Sequence, residues 1–248
     1  MTQVADHRSG HRATGRVPGL APLAAAAGLE LGAYRSEHVA EAVRRALVRE
    51  RVGIGELVRL LSRDASARAR FRRSVAVSFS GFFRDPAQFA LLQSELLPTL
   101  LGRRGTLTVW SAGCADGSEL YSLALVLERL GALERSLLLG SDVLEENLAI
   151  ARAGSYPDVA ISPQLRRRVR WERFDLLCDD APARRWKLVL CRNVAIYLSP
   201  EGQRRAYGVV AEAVAPGGVL MLGRSERLAD ADVRGFERIA PHVYRKCA

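Results

Sequence analysis

Residues 107–122, Leu-Thr-Val-Trp-Ser-Ala-Gly-Cys-Ala-Asp-Gly-Ser-Glu-Leu-Tyr-Ser, join an apolar run to a turn holding Gly113 and Gly117, with a helix-forming stretch directly behind it. A second apolar run, Leu137-Leu138-Leu139-Gly140-Ser141, ends on Asp142. Residue types in this order suit a nucleoside. Glycines let the backbone come close to a ligand, and an acid at the tip of the following strand takes ribose hydroxyls. The third glycine of a dinucleotide fingerprint is missing, which disfavours a nicotinamide oxidoreductase.

Such residues need an alternating frame to position them. The apolar pattern predicts a strand over 106–110, then a helix with Leu120, Leu123, Ala124 and Leu127 on one face. Strand 137–141 leads to a short helix near Glu145–Ala153, and 169–174 and 188–191 read as further strands. Ser199-Pro200-Glu201 opens a helix with Ala206, Val209, Val210 and Val214 inward. Pro216-Gly217-Gly218 reads as a turn into strand 219–222, and residues 236–245 as an edge hairpin. Strands interleaved with helices predict the α/β class, a doubly wound, mostly parallel, Rossmann-like sheet, whose ligands lie beyond the carboxyl ends of its strands.

Ahead of this block the chain reads as helical and rich in arginine. Ser36 is placed to cap a helix carrying Val39, Val43 and Leu47, with Arg44, Arg45, Arg49 and Arg51 mostly on other faces. Gly53 and Gly55 break it. Asp85-Pro86 reads as a cap plus first-turn proline, opening a helix with Phe89, Leu92 and Leu96 inward that stops near Gly102–Gly105. The expected division is a disordered tail over 1–17, a small all-helical substrate-recognition domain over 18–90 and the sheet domain over 91–248.

The net charge of +10 raises the question of nucleic acid. Lys187 and Lys246 are the two lysines among 37 basic residues, a bias matching the alanine-rich text rather than a binding stripe. RNA recognition would require aromatic stacking interleaved with the basic residues, and aromatics make up 6% of the chain. No nucleic-acid partner is expected. No apolar run reaches the length of a membrane span, so no membrane insertion is expected. Cys114, Cys178, Cys191 and Cys247 show neither Cys-x-x-Cys spacing nor paired histidines. They read as free thiols of a cytoplasmic protein, with no metal site.

Six ordered segments carry a family resemblance: Phe82-Phe83-Arg84-Asp85, Val109–Cys114, Glu119-Leu-Tyr-Ser122, Ser141-Asp142, Cys191-Arg-Asn-Val-Ala-Ile-Tyr197, and Pro216-Gly-Gly with Gly223-Arg-Ser-Glu226. Together they resemble the chemotaxis receptor methyltransferases (CheR type), which are S-adenosyl-L-methionine-dependent protein-glutamate O-methyltransferases. The resemblance runs from about Leu20 to the C-terminus. It implies the class I methyltransferase fold, S-adenosyl-L-methionine as cofactor, and a cofactor pocket involving Gly113. Asp142 would hold the ribose hydroxyls, and Asp175-Leu176 would flank adenine. Arg84 would lie near the cofactor and substrate carboxylates, where a guanidinium fork suits planar oxyanions; the plainer alternative is an interdomain salt bridge. Arg192 and Asn193 would line the pocket at the strand switch. Tyr197 either caps the transfer site or packs.

Departures from the family pattern fall on the same pocket. The Asn-x-Thr that precedes the Phe-Phe pair is here Ser78 and Ser80. The first glutamate of Gly-Glu-Glu-Pro-Tyr-Ser is Ser118. Either Glu119 or Asp116 then meets the methionine ammonium, or no acid does. The adenine-side asparagine is Asp175. Between Tyr156 and Phe174 the family commonly carries a small antiparallel β-subdomain, and the arginine-rich stretch here is too short for it.

The chemistry expected from this resemblance needs no base. A glutamate side chain has a pKa of about 4.3, so it is already an ionised nucleophile at pH 7. The four histidines, His7, His11, His38 and His242, lie outside the motifs. Rate would come from alignment and desolvation, effects that supply roughly 7–11 kcal/mol in favourable intramolecular systems. The arginine-rich helices would meet an acidic helical region of a receptor or signalling protein, and a monomer is expected. Two alternatives stand beside this reading: a methyltransferase acting on a small-molecule carboxylate, and a non-catalytic S-adenosyl-L-methionine-binding scaffold.

Overall fold

The computed structural model describes residues 19–76, 80–102, 105–229 and 235–247. The expected tail over 1–17 and Ser78 lie outside the described residues. Four helices come first: α1 (Leu20–Ala27), α2 (Ser36–Glu50), α3 (Ile54–Arg63) and α4 (Ala65–Val75). Each buries a stripe at helical spacing, for example Leu57 and Leu61 of α3, and Ala67, Phe71 and Val75 of α4. Asp64 caps α4 by accepting from the Ser66 and Ala67 amides. These stripes meet in one apolar core running from Leu23 to Val75.

Ser36 does not cap α2. It is the first helical residue, and Arg35 holds the cap position without a side-chain bond. Arg35 is occupied elsewhere, its amide donating to the Tyr197 carbonyl and its Nε to the Leu198 carbonyl. Asp85 is not a side-chain cap either. It precedes α5 (Pro86–Leu91) at φ 60°, and its carboxylate is paired with Arg192 and Arg224.

A π turn (Leu92–Leu96) joins α5 to α6 (Leu97–Leu101). Pro98 has no N–H to continue the regular ladder, and the wide turn absorbs this. It also advances the phase of the inward face, so Leu97 and Leu101 follow Leu96 into the interior. Residue 90 falls inside α5, and Phe89 packs in the core of the sheet with β1 and α7 residues.

The sheet contains β1 (Leu107–Ala112), β2 (Ser136–Asp142), β3 (Val169–Arg173), β4 (Trp186–Cys191), β5 (Val214–Leu222), β6 (Phe236–Ala240) and β7 (Val243–Lys246). Their spatial order is β3-β2-β1-β4-β5-β7-β6. The first five strands pair in parallel, and β7 runs antiparallel to both neighbours. The helices between the strands are α7 (Ser118–Arg129), α8 (Glu145–Ala153), α9 (Pro163–Arg167) and α10 (Pro200–Ala213). Two apolar layers, one on each face, enclose the sheet. This is the doubly wound architecture the alternation predicts. Strand order reverses between β1 and β4, which opens a crevice at their carboxyl ends.

Pro216-Gly217-Gly218 is not the turn before β5 but a bulge inside it. Trp186 pairs with Val214 and Leu188 with Val219, so the extra residues loop out between the two. Gly217 takes φ 71°, and a Cβ on Gly218 would stand 2.8 Å from the Ala215 carbonyl oxygen. Between α8 and β3 the chain forms only an isolated Ser155–Ala160 bridge and α9, with no antiparallel subdomain.

Candidate functional site

The crevice is a cleft of about 940 Å³ of space outside the protein atoms, part of which is open solvent. Of the residues singled out in the sequence, Ser80, Arg84, Gly113, Glu119, Asp142, Asp175, Leu176, Arg192, Asn193 and Tyr197 all line it. Ser118 does not: it is buried at the start of α7, its hydroxyl donating to Asp116 Oδ1 at 2.6 Å. Asp116 is likewise absent from the wall, so Glu119 is the acid that α7 presents to the cleft.

Asp142 ends β2 and is 7% exposed. Its Oδ1 accepts from the Leu144 amide at 2.9 Å and from Asn147 Nδ2 at 3.1 Å. Its Oδ2 accepts from the Ala115 amide at 2.9 Å. Burial pushes the carboxyl above its ordinary value, while these three donors act to lower it. The side chain is thus fixed on the cleft wall with acceptor capacity left over, as a partner for vicinal hydroxyls requires. Gly113, after β1, sits at φ 74° where a Cβ would stand 2.5 Å from Val194 Cγ2. Only glycine fits that turn, which brings bare backbone to the cleft.

Arg192, at the tip of β4, has a side chain only 2% exposed. Nε donates to Gln88 Oε1 at 2.8 Å and Nη1 to Glu119 Oε2 at 2.7 Å. Nη2 donates to the Arg84 carbonyl at 2.8 Å and to Asp85 Oδ2 at 3.0 Å. One guanidinium therefore fixes β4, α5, α7 and the segment bearing Arg84. Glu119 also accepts from Ser111 Oγ at 2.8 Å, which sets both of its oxygens.

Asn193 takes φ 62°. The loop it begins is held by Glu226, a buried carboxylate that accepts the backbone amides of Asn193, Val194 (3.0 Å), Ala195 (2.8 Å) and Gly223 (2.9 Å). Desolvation raises the Glu226 pKa, and these four amides act to lower it. Tyr197 closes a 3₁₀ turn (Ala195–Tyr197), its ring 5.0 Å from that of His38 on α2. Asp175 and Leu176 follow β3. Asp175 Oδ1 accepts from the Leu177 amide at 2.9 Å, so the carboxylate braces its own turn.

Three contributors are not evident from the sequence. Glu226 stands in the Gly223–Glu226 motif, which by itself assigns it no role. Gln88 donates through Nε2 to the Leu222 carbonyl at 2.9 Å and accepts from Arg192. Tyr34 lines the cleft from the N-terminal helical segment. The motif around Glu226 is a signal that could have found it, whereas nothing in the residues around Tyr34 marks it.

A seven-stranded sheet of this order, its first five strands parallel, with a cleft at the β1/β4 switch, has the class I methyltransferase architecture. The family described as CheR methyltransferase, SAM binding domain, matches residues 78–162 and 157–243. The Chemotaxis protein methyltransferase of Listeria monocytogenes is 31% identical over 242 residues, covering 88% of this chain and 92% of that one. Chemotaxis protein methyltransferase 1 of Pseudomonas aeruginosa is 29% identical over 236 residues, covering 81% and 85%. Among solved structures, the glycopeptide N-methyltransferase MtfA complexed with S-adenosyl-L-homocysteine aligns with 58% of this chain and 48% of its own. Its TM-score is 0.41 at 18% identity, a distant likeness. The chain belongs to the CheR methyltransferase family, and it is an S-adenosyl-L-methionine-dependent methyltransferase of the chemotaxis type.

Proposed function

We propose that this protein methylates glutamate carboxylates of a receptor or signalling protein in the cytoplasm, with an acidic helical region as acceptor. The observation that carries this is the placing of Arg84 and Tyr197 on the same cleft wall as Asp142 and Glu119. A cation and a phenol thereby stand beside the groups suited to a nucleoside and an amino-acid tail. When bound, S-adenosyl-L-methionine supplies an electrophilic methyl group. The residues present fit it: Asp142 for the ribose hydroxyls, Asp175 and Leu176 beside adenine, Glu119 for the ammonium and Arg84 for a carboxylate. Ser80 and Asn193 complete the wall.

The chain's own part is alignment and exclusion of water. Arg84 draws an ionised carboxylate into the cleft, and the Arg192 network fixes the backbone that bears it. The cleft wall carries no histidine among the described residues, which accords with a nucleophile that needs no base. The described helical domain, with its own core, is assigned to acceptor recognition, and the sheet domain, including α5 and α6, to the reaction. Arg44, Arg45, Arg49 and Arg51 are exposed on and just after α2, where an acidic helix can meet them. No helix among the described residues is long and apolar enough to cross a membrane.

Transfer of labelled methyl groups onto membranes and lysate tests the proposal. Base-labile label, the mark of an ester, is expected, with Arg84→Ala removing it. Base-stable label would assign a different acceptor atom. Binding of the donor with no transfer to any fraction would favour the scaffold. Label on small carboxylates alone would favour the small-molecule enzyme.

A further inference from the structure

We infer that Tyr34, carried by the N-terminal helical domain, is a donor-binding residue that completes the nucleoside end of the cleft. This rests on the S-adenosyl-L-methionine reading above. Tyr34 lines the cleft together with Asp142, Asp175 and Leu176, and it packs against both the helical core and one apolar layer of the sheet. Its place is fixed by backbone. Tyr34 forms an isolated antiparallel bridge with Leu198. The Arg35 amide donates to the Tyr197 carbonyl at 3.0 Å, the Ser199 amide to the Ala33 carbonyl at 2.9 Å, and Arg35 Nε to the Leu198 carbonyl at 3.2 Å. Gly202 lies under this seam, and a Cβ there would run into the Ala33 carbonyl oxygen.

A second contact ties α4 to the sheet, where Arg72 Nη2 donates to the Val143 carbonyl at 2.9 Å, next to Asp142. The helical segment is therefore tied to the sheet segment at two points, each beside residues of the cleft wall. Behind Tyr34 stands His38, its ring stacked at 6.3 Å and its Nε2 bonded to the Val75 carbonyl at 2.7 Å.

The chemistry of the position favours a hydroxyl rather than a mere ring. Burial, with Asp175 and Asp142 nearby, pushes the phenol well above its ordinary pKa, so it keeps its proton. Two carboxylates on one wall already supply acceptors. A neutral O–H adds a donor for a nucleoside acceptor atom without adding charge. A phenylalanine would pack equally well on His38, so the oxygen is the informative atom.

Calorimetric titration of the full chain with S-adenosyl-L-methionine and S-adenosyl-L-homocysteine tests this without any acceptor. Tyr34→Phe is expected to raise both Kd values by the same factor, about 3- to 10-fold, as for loss of one neutral hydrogen bond. The melting temperature without ligand should not change. Gly202→Ala, outside the cleft, is expected to weaken both ligands by displacing the Ala33–Arg35 segment. Unchanged affinity in Tyr34→Phe and Tyr34→Ala, with wild type binding normally, overturns the inference and leaves the donor reading intact. A loss confined to S-adenosyl-L-methionine would put the phenol at the sulfonium, and would also overturn it. Absence of heat in wild type would remove the donor reading, and the role of Tyr34 with it.

Discussion

Arg192 Nη1 donates to Glu119 Oε2 at 2.7 Å, joining the tip of β4 to the first turn of α7 across the switch point of the sheet. The same guanidinium reaches Gln88, Asp85 and the Arg84 carbonyl. It therefore acts as the fixed point from which the cleft wall is hung, in addition to lining it.

Removing that guanidinium leaves Glu119 with Ser111 alone and Asp85 with the exposed Arg224, both part-buried carboxylates short of their main counter-charge. Arg192→Ala is expected to cost about 3–5 kcal/mol of stability, the range for breaking a buried ion pair. Urea denaturation with an unchanged m-value measures it. Arg192→Lys keeps the charge but cannot reproduce the fork, so it should recover only part of that loss.

Asp142→Ala is expected to weaken S-adenosyl-L-homocysteine binding by about 10- to 100-fold, as for loss of charge-assisted hydrogen bonds. The ionised carboxylate is the better acceptor, and its pKa is raised by burial. Affinity should therefore fall, as pH is lowered, at a higher pH than an ordinary aspartate would give, and Asp142→Asn should lack that step. Stability without ligand runs the other way. The native carboxyl holds its proton more readily than the unfolded one, so this residue's contribution declines as pH rises from the ordinary aspartate value through the raised one. Calorimetric titrations and thermal melts across that acid range read the two effects separately.

Glu226 gathers four backbone amides, and no other residue type supplies that many acceptor sites at this reach. Glu226→Ala is expected to cost upward of about 3 kcal/mol, since several buried N–H groups lose their partner together. Amide hydrogen exchange should then speed up selectively over residues 193–195 and 223.

Gly113→Ala meets both a left-handed backbone and the Val194 methyls. Donor affinity should drop, and Val194→Ala should restore part of it by making room. The remaining deficit reflects the backbone conformation, roughly 1–2 kcal/mol. Full rescue by Val194→Ala would mean that φ at this position carries no cost.

Much of this was legible in the residues because it depends on local pattern. The alternation of apolar runs and helical stripes set out the order of elements, and the glycine turn with Asp142 placed the ligand end. What could not be read depends on distant partners. Asp85-Pro86 has the text of a cap, yet its carboxylate belongs to Arg192, more than a hundred residues away. Ser36 yields its capping role because Arg35 is tied to the Tyr197 carbonyl, far along the chain. The bulge at Pro216–Gly218 imitates a turn, since both need glycine at positive φ. Tyr34 carries no motif, because its place in the cleft arises from a backbone bridge to Leu198, distant in sequence.

The sheet ends in β3 on one side and β6 on the other. Both margins are peppered with charge: Arg170, Glu172 and Arg173 on one, Glu237 and Arg238 on the other. A foreign strand seeking to extend the ladder at either margin would have to strip water from those groups, a penalty that guards against fibre growth.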